Sequence, residues 1–185
     1  MNLLESALAY REAGLCVLPA FLEKKRPALG TWKYFRNKLP NQSVVKIWFH
    51  DPHNKALCIV CGRISGNLEM IDFDNNGELF PAFMARLKHE DRILADCLVI
   101  ESSQTRANRH IIYRCESPVQ GNLILNQRPG DKKMIRLIET RGEGGLFLCA
   151  PSPGYEVLQG SLTKLIVITA DERELLLTIA REVEL

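Results

Sequence analysis

The sequence has no uncharged apolar run approaching the ~18 residues a membrane-spanning helix needs, which excludes such a helix. It also lacks the basic-then-apolar layout of a secretory leader. Its opening stretch sets Glu5 and Arg11 inside an apolar pattern and reads as an amphipathic helix. There is no marked excess of one charge: 24 Lys and Arg stand against 22 Asp and Glu, a net charge of +2. Such a balance neither demands nor excludes a polyanionic partner, so the placement of the positive charge is what counts. No internal repeat, low-complexity tract or Gly/Ser linker divides the chain, and 185 residues fit one domain. With 46% hydrophobic residues, the chain has enough apolar surface to fold, which excludes bulk disorder.

Histidine is scarce, at four residues, and no His-x-His pair occurs. That argues against a relaxase or rolling-circle nuclease, which needs a His-hydrophobe-His pair beside a nucleophilic Tyr; His110-Ile111-Ile112 supplies one His only. Six cysteines without a leader suit reduced thiols in a cytoplasmic protein. Cys58 and Cys61 have zinc-like spacing, but Leu57, Ile59 and Val60 place them on a strand. Residues three apart on a strand face opposite ways and cannot share a metal. His50 and His53 read as a turn before that strand.

Apolar spacing predicts a helix over Leu3 to Ala13 with Gly14 as its C-terminal cap, then a strand over Leu15 to Leu18. Ser43 is expected to cap a short helix through Phe49, with Val44, Ile47 and Trp48 facing inward. Strands are expected at Ala56 to Val60, Leu68 to Phe73, Leu98 to Glu101, His110 to Cys115, Met134 to Thr140 and Leu146 to Cys149. A helix is expected over Leu79 to Lys88, and Thr169 to Glu172 is a capping box that opens a last one. Helices outside mostly consecutive strands predict an α+β fold with a substantially antiparallel sheet.

Three segments carry candidate chemistry. Asp72 and Asp74 lie at i and i+2 on a strand and share a face, where their mutual repulsion suits a hard divalent cation; a solvated strand-end turn is the plainer alternative. The stretch from Ser102 to His110 combines hydroxyls, Arg106, Arg109 and a strand-opening His, groups suited to phosphate oxygens. In the third, Glu139 ends an apolar strand and Arg141 to Gly145 form a glycine-rich turn that a plain hairpin would also explain. Basic clusters lie at Lys24, Lys25 and Arg26, at Arg106, Arg109 and Arg114, and at Arg128, Lys132, Lys133 and Arg136. Most such runs are solvated faces.

In this order and at these separations, the three segments resemble the N-terminal domain of bifunctional DNA primase/polymerases, within the archaeo-eukaryotic primase superfamily. The Asp-x-Asp strand end corresponds to Asp72 and Asp74, the strand-opening His to His110, and the third acid to Glu139. A helix, Gly14, Pro19, Lys25-Arg26-Pro27 and Trp32 are similar to the family's opening. Gly62 to Gly66, Arg141 to Gly145, Ala150 to Ser152 and Tyr155 match as well. Two positions depart from the pattern: Ala107-Asn108 stands where the family usually has adjacent glycines, and Glu139 where many relatives have Asp.

The resemblance implies a primase-polymerase core, an N-terminal α/β unit packed on an RRM-like half with a mainly antiparallel mixed sheet. It implies template-directed nucleotidyl transfer in the replication of a plasmid, phage or integrated element. Two Mg²⁺ or Mn²⁺ ions would be held by Asp72, Asp74 and Glu139. His110 would donate to the triphosphate, assisted by Ser103 and Arg109, with Lys25 and Arg141 as further phosphate contacts. Lys24, Lys25 and Arg26 would hold DNA. The expected partners are a single-stranded template, a primer strand, (d)NTPs and a helicase domain or protein, with no membrane. Residues 1–185 are expected to form one catalytic domain at the N-terminal part of a longer replication protein. A catalytically silent nucleic-acid-binding or assembly module of the same fold is the alternative.

Overall fold

The computed structural model describes residues 2–103 and 105–184. Helix α1 (Leu3–Glu12) begins at a capping box: the Asn2 side chain accepts from the Glu5 N–H, and the Glu5 carboxylate accepts from the Asn2 N–H. It ends at Gly14 as expected. Leu15 N–H donates to the Tyr10 carbonyl and Gly14 N–H to that of Arg11, with Gly14 at φ 80°, a left-handed value open to glycine.

The chain continues through β1 (Cys16–Phe21), β2 (Arg26–Pro27), a 3-10 turn (Trp32–Arg36), α2 (Gln42–His50) and β3 (Ala56–Val60). Asn41, not Ser43, caps α2, its side chain accepting from the Val44 N–H. Val45 and Phe49 are buried with Ala7 and Tyr10 of α1, and Trp48 packs half-buried against the core as expected, while Ile47 is 69% exposed. Most of the helix surface is apolar, so amphipathicity alone does not fix which residues are buried; contact with α1 does.

The second part holds β4 (Leu68–Phe73), α3 (Phe80–Glu90), α4 (Arg92–Cys97), β5 (Val99–Ser102), β6 (Arg109–Cys115), β7 (Ile124–Arg128), β8 (Ile135–Arg141), β9 (Leu146–Leu148), β10 (Glu156–Gln159), β11 (Val167–Ile168) and α5 (Ala170–Glu182). The capping box at Thr169 and Glu172 opens α5 as expected. Helix α4 and strands β2, β7, β10 and β11 carry no element in the sequence reading; all are short, and two span only a pair of residues.

The fold is α+β with two sheets. One runs β2-β1-β3-β9 and the other β10-β5-β6-β4-β8-β7, every pairing within them antiparallel; β11 joins β6 in parallel. Alternation along β4 builds the layers. Ile71 and Phe73 face a core with Phe83, Leu87 and Leu177 from the helices. Met70 faces the other way, into a core shared with Val17, Ile59 and Phe147 of the first sheet. Cys58 and Cys61 fall in different cores, on opposite faces as expected, and burial pushes both thiols up. A buried bidentate pair ties α5 to the sheet: Arg173 donates to both Glu69 oxygens at 2.6 and 2.9 Å, and Tyr113 Oη donates to Glu69 at 2.7 Å. Arg114 is not part of an open basic cluster. It donates to the carbonyls of Ser65 and Ala13, clamping the end of α1 against β6.

Candidate active site

Four ionisable residues form one row across four strands. Glu101 on β5 is opposite His110 on β6, His110 is opposite Asp72 on β4, and Asp72 is opposite Glu139 on β8. Directly opposed residues of neighbouring strands project to the same face, so pairing register alone assembles the row. Asp74 joins just past the end of β4. Three successive left-handed residues follow it, Asn75, Asn76 and Gly77 at φ 52°, 63° and 64°. Asn and Gly tolerate this region best, and a Cβ at Gly77 would lie 2.8 Å from the Ala107 carbonyl oxygen.

Carboxylate oxygens of Asp72, Asp74 and Glu139 lie within 4.8 Å of one another. Asp72 Oδ1 is buried with no hydrogen-bond partner among the described residues. Three clustered carboxylates, one of them on a residue with an oxygen that lacks a hydrogen bond, are the donor set that suits a hard divalent cation, so the residues fit such an ion. Asp74 accepts from Asn108 Nδ2 at 3.1 Å. Desolvation, then the charges of Asp72 and Glu139, push its pKa up to about 6. The Glu139 oxygens each meet a guanidinium, from Arg141 on one and Arg136 on the other.

His110 is buried between two carboxylates. Its Nδ1 lies 3.1 Å from Glu101 Oε2, and its Nε2 lies 3.6 Å from Asp72 Oδ1, an electrostatic contact longer than a hydrogen bond. Burial pulls its pKa down, but the hydrogen bond to Glu101 and the charges of Asp72 and Glu101 prevail, and the pKa is raised. Glu101 is itself fully buried and also accepts from the Ala150 N–H at 2.5 Å. A cavity of about 360 Å³ opens beside Asp72 and His110 of this row, lined also by Arg141, Lys25, Arg26 and Trp32.

Residues 7–170 match the sequence family described as bifunctional DNA primase/polymerase, N-terminal. The chain belongs to this family. No curated protein matches it. Family membership brings nucleotidyltransferase chemistry on DNA and nucleotide substrates in replication, normally with divalent metal ions. No helix among the described residues is long and apolar enough to cross a membrane.

For a primase/polymerase domain, the positions of the individual side chains matter most. The fold brings Asp72, Asp74, Glu139 and His110 together, and Lys25 and Arg141 line the adjoining cavity. Lys24 lies outside that cavity, its Nζ 5.5 Å from the centroid of the Phe21 ring. Arg109 turns back on its own loop, donating to the carbonyls of Arg106, Ala107 and Asn108. Ser103 is buried, and its hydroxyl has no partner among the described residues.

Three residues contribute that are not among the site residues expected from the sequence: Glu101, Asn108 and Arg136. Glu101 carries the same signal as Glu139, an acid ending an apolar strand. Asn108 marks a departure from the family's glycines, and here it links the two loops, donating to Asp74 and accepting from the Asn76 N–H. Arg136 reads from the sequence only as a member of a basic cluster; its contact with Glu139 gives it a place at the site.

Proposed function

We propose that this domain carries out template-directed nucleotidyl transfer by a two-metal mechanism, in primer synthesis, primer extension or both. The observation that carries the reading is the three-acid cluster, in which Asp72 is held with one oxygen buried and without a hydrogen bond among the described residues. Asp72, Asp74 and Glu139 hold two Mg²⁺ or Mn²⁺ ions, which when bound supply activation of a 3′-hydroxyl and neutralisation of triphosphate charge. His110, braced by Glu101, presents Nε2 beside the acids and donates from it to a phosphate oxygen of the nucleotide. Lys25 and Arg141 add positive charge along the cavity, and Ser103 and Arg109 support the loop that delivers His110. Attack at the α-phosphorus forms the new phosphodiester and expels pyrophosphate. Lys24, Lys25 and Arg26 hold the template by its phosphates, in a salt-sensitive manner.

The family's description as an N-terminal domain supports a place for residues 1–185 as one catalytic unit of a longer replication protein. That protein is proposed to work in the cytoplasm with a helicase, on a plasmid, phage or integrated element. One observation favours the silent-module reading: both Glu139 oxygens already meet arginines. Incorporation of a labelled nucleotide on a primed single-stranded template separates the two. Wild type is expected to incorporate only with Mg²⁺ or Mn²⁺, and Glu139→Gln to lose at least about a hundredfold in rate. An unprimed template run in parallel distinguishes primer synthesis from extension. Metal-independent incorporation, or full activity in Glu139→Gln, would overturn the three-acid mechanism.

A further inference from the structure

Strand β1 is buried along its first five residues and then ends on Phe21, whose ring is 45% exposed at the rim of the β1–β2 hairpin. Phe21 pairs in register with Arg26, and the hairpin tip between them carries Lys24 and Lys25. Beside the ring is a second hollow of about 330 Å³, walled by Phe21, Pro27, Leu29 and Trp32. Cations lie over both of its aromatic rings, so a stacking base would displace a mobile side chain from a ring face. Lys24 Nζ and Arg26 Cζ lie 5.5 and 5.8 Å from the Phe21 centroid, and Arg36 Cζ lies 4.8 Å from that of Trp32.

Alternating aromatic faces and cations match the alternating bases and phosphates of a single nucleic-acid strand. The local charge agrees, since Glu23 is the one acid among the hairpin residues 21–27. The hollow also shares Arg26, Pro27 and Trp32 with the cavity over the acidic row, so a strand lying across the hairpin leads directly to that row. Asp72 and His110 line the cavity and not the hollow, which separates the hollow from the place of the incoming triphosphate.

We propose that the β1–β2 hairpin is a base-stacking subsite for the single-stranded template, with Phe21 as its platform and Trp32 as its far wall. The proposal deepens the template-directed reading above and rests on it. Lys24 and Arg26 neutralise the flanking phosphates, and the ring takes one base regardless of sequence.

The test is anisotropy with labelled oligothymidylate and with an abasic oligonucleotide of equal length, in chelator and without nucleotide. Both ligands carry the same phosphates, so their difference isolates the bases. Wild type is expected to prefer oligothymidylate by about fivefold or more. Phe21→Ala and Phe21→Leu should remove that preference and leave abasic affinity and its salt dependence unchanged. Phe21→Trp should retain it, and an unchanged melting temperature for each variant shows that the exposed ring was not supporting the fold. A preference that survives Phe21→Ala overturns the proposal. So does an equal loss for both oligonucleotides, or displacement of the oligonucleotide by free dNTP that depends on Phe21. Incorporation on a primed template tests the other reading separately: an active wild type with a Phe21-independent preference refutes only the subsite. An inactive wild type with a Phe21-dependent preference refutes only the chemistry.

Discussion

Replacing Asp72 by Asn should raise stability without metal and abolish most of the stabilisation that metal confers. Two unit charges at the 4.8 Å bound on the acid cluster repel by about 3 kcal/mol at an effective dielectric of about 20. Asp72→Asn removes its repulsion with both Asp74 and Glu139. Solvent screening, and loss of the attraction between Asp72 and His110, reduce the net gain to about 1–2 kcal/mol. At about 2–4 °C per kcal/mol for a chain of this size, the melting temperature in chelator at pH 7 should rise by about 2–8 °C.

In Mn²⁺ at a hundred times its dissociation constant, wild type should instead gain about 2.7 kcal/mol, or about 5–10 °C, and the variant should lose most of that increment. The pH dependence has a definite sign. Asp74 binds its proton more tightly folded, near 6, than unfolded, near the ordinary carboxylate value. Metal-free wild type therefore gains stability from this group as pH falls from 7 to 5, and the raised His110 acts in the same direction. Asp72→Asn removes a charge that holds both pKa values up, so this gain should shrink. Thermal melts in chelator and in Mn²⁺ at pH 7 and pH 5 measure every quantity. A variant less stable than wild type in chelator, or one with an undiminished Mn²⁺ increment, would refute the repelling-cluster account.

Glu101→Gln keeps the shape of the side chain but replaces one of the two oxygens that face His110 and the Ala150 N–H with an NH2 that only donates. It should raise the nucleotide KM by about tenfold with a smaller effect on kcat, while retaining the Mn²⁺ increment, and a lost increment would place Glu101 in metal binding instead. Arg173→Met leaves the fully buried Glu69 with Tyr113 as its remaining partner, at a cost of about 3–5 kcal/mol and a fall in melting temperature of about 6–20 °C. A fall of less than about 2 °C would show that Glu69 takes up a proton or finds another partner.

The candidate acids were legible in the sequence because their signals are local. Asp72 and Asp74 share a face by the two-residue period of a strand, and Glu139 ends an apolar run that only a strand would bury. Helix caps at Gly14 and Thr169 were legible for the same reason, since a cap depends on atoms within a few residues. The inward face of α2 was legible only in part: Trp48 packs inward, but Ile47 is exposed and Val45 and Phe49 are the buried pair, because α1 packs against that side. The roles of Arg109 and Arg114 were no more legible, since an arginine's reach lets it serve a phosphate or a backbone carbonyl with equal ease.

By itself, then, the sequence determined the strands that carry the site, their faces, the family and the residue types at the site. The tertiary structure decided which strands lie side by side. Glu101, His110, Asp72 and Glu139 form a row only because β5, β6, β4 and β8 pair in one register, and a shift of one residue along any strand would turn its member to the opposite face. Register follows from which apolar residues are buried against the helices and the first sheet, a condition spread over the whole chain. No short segment carries it.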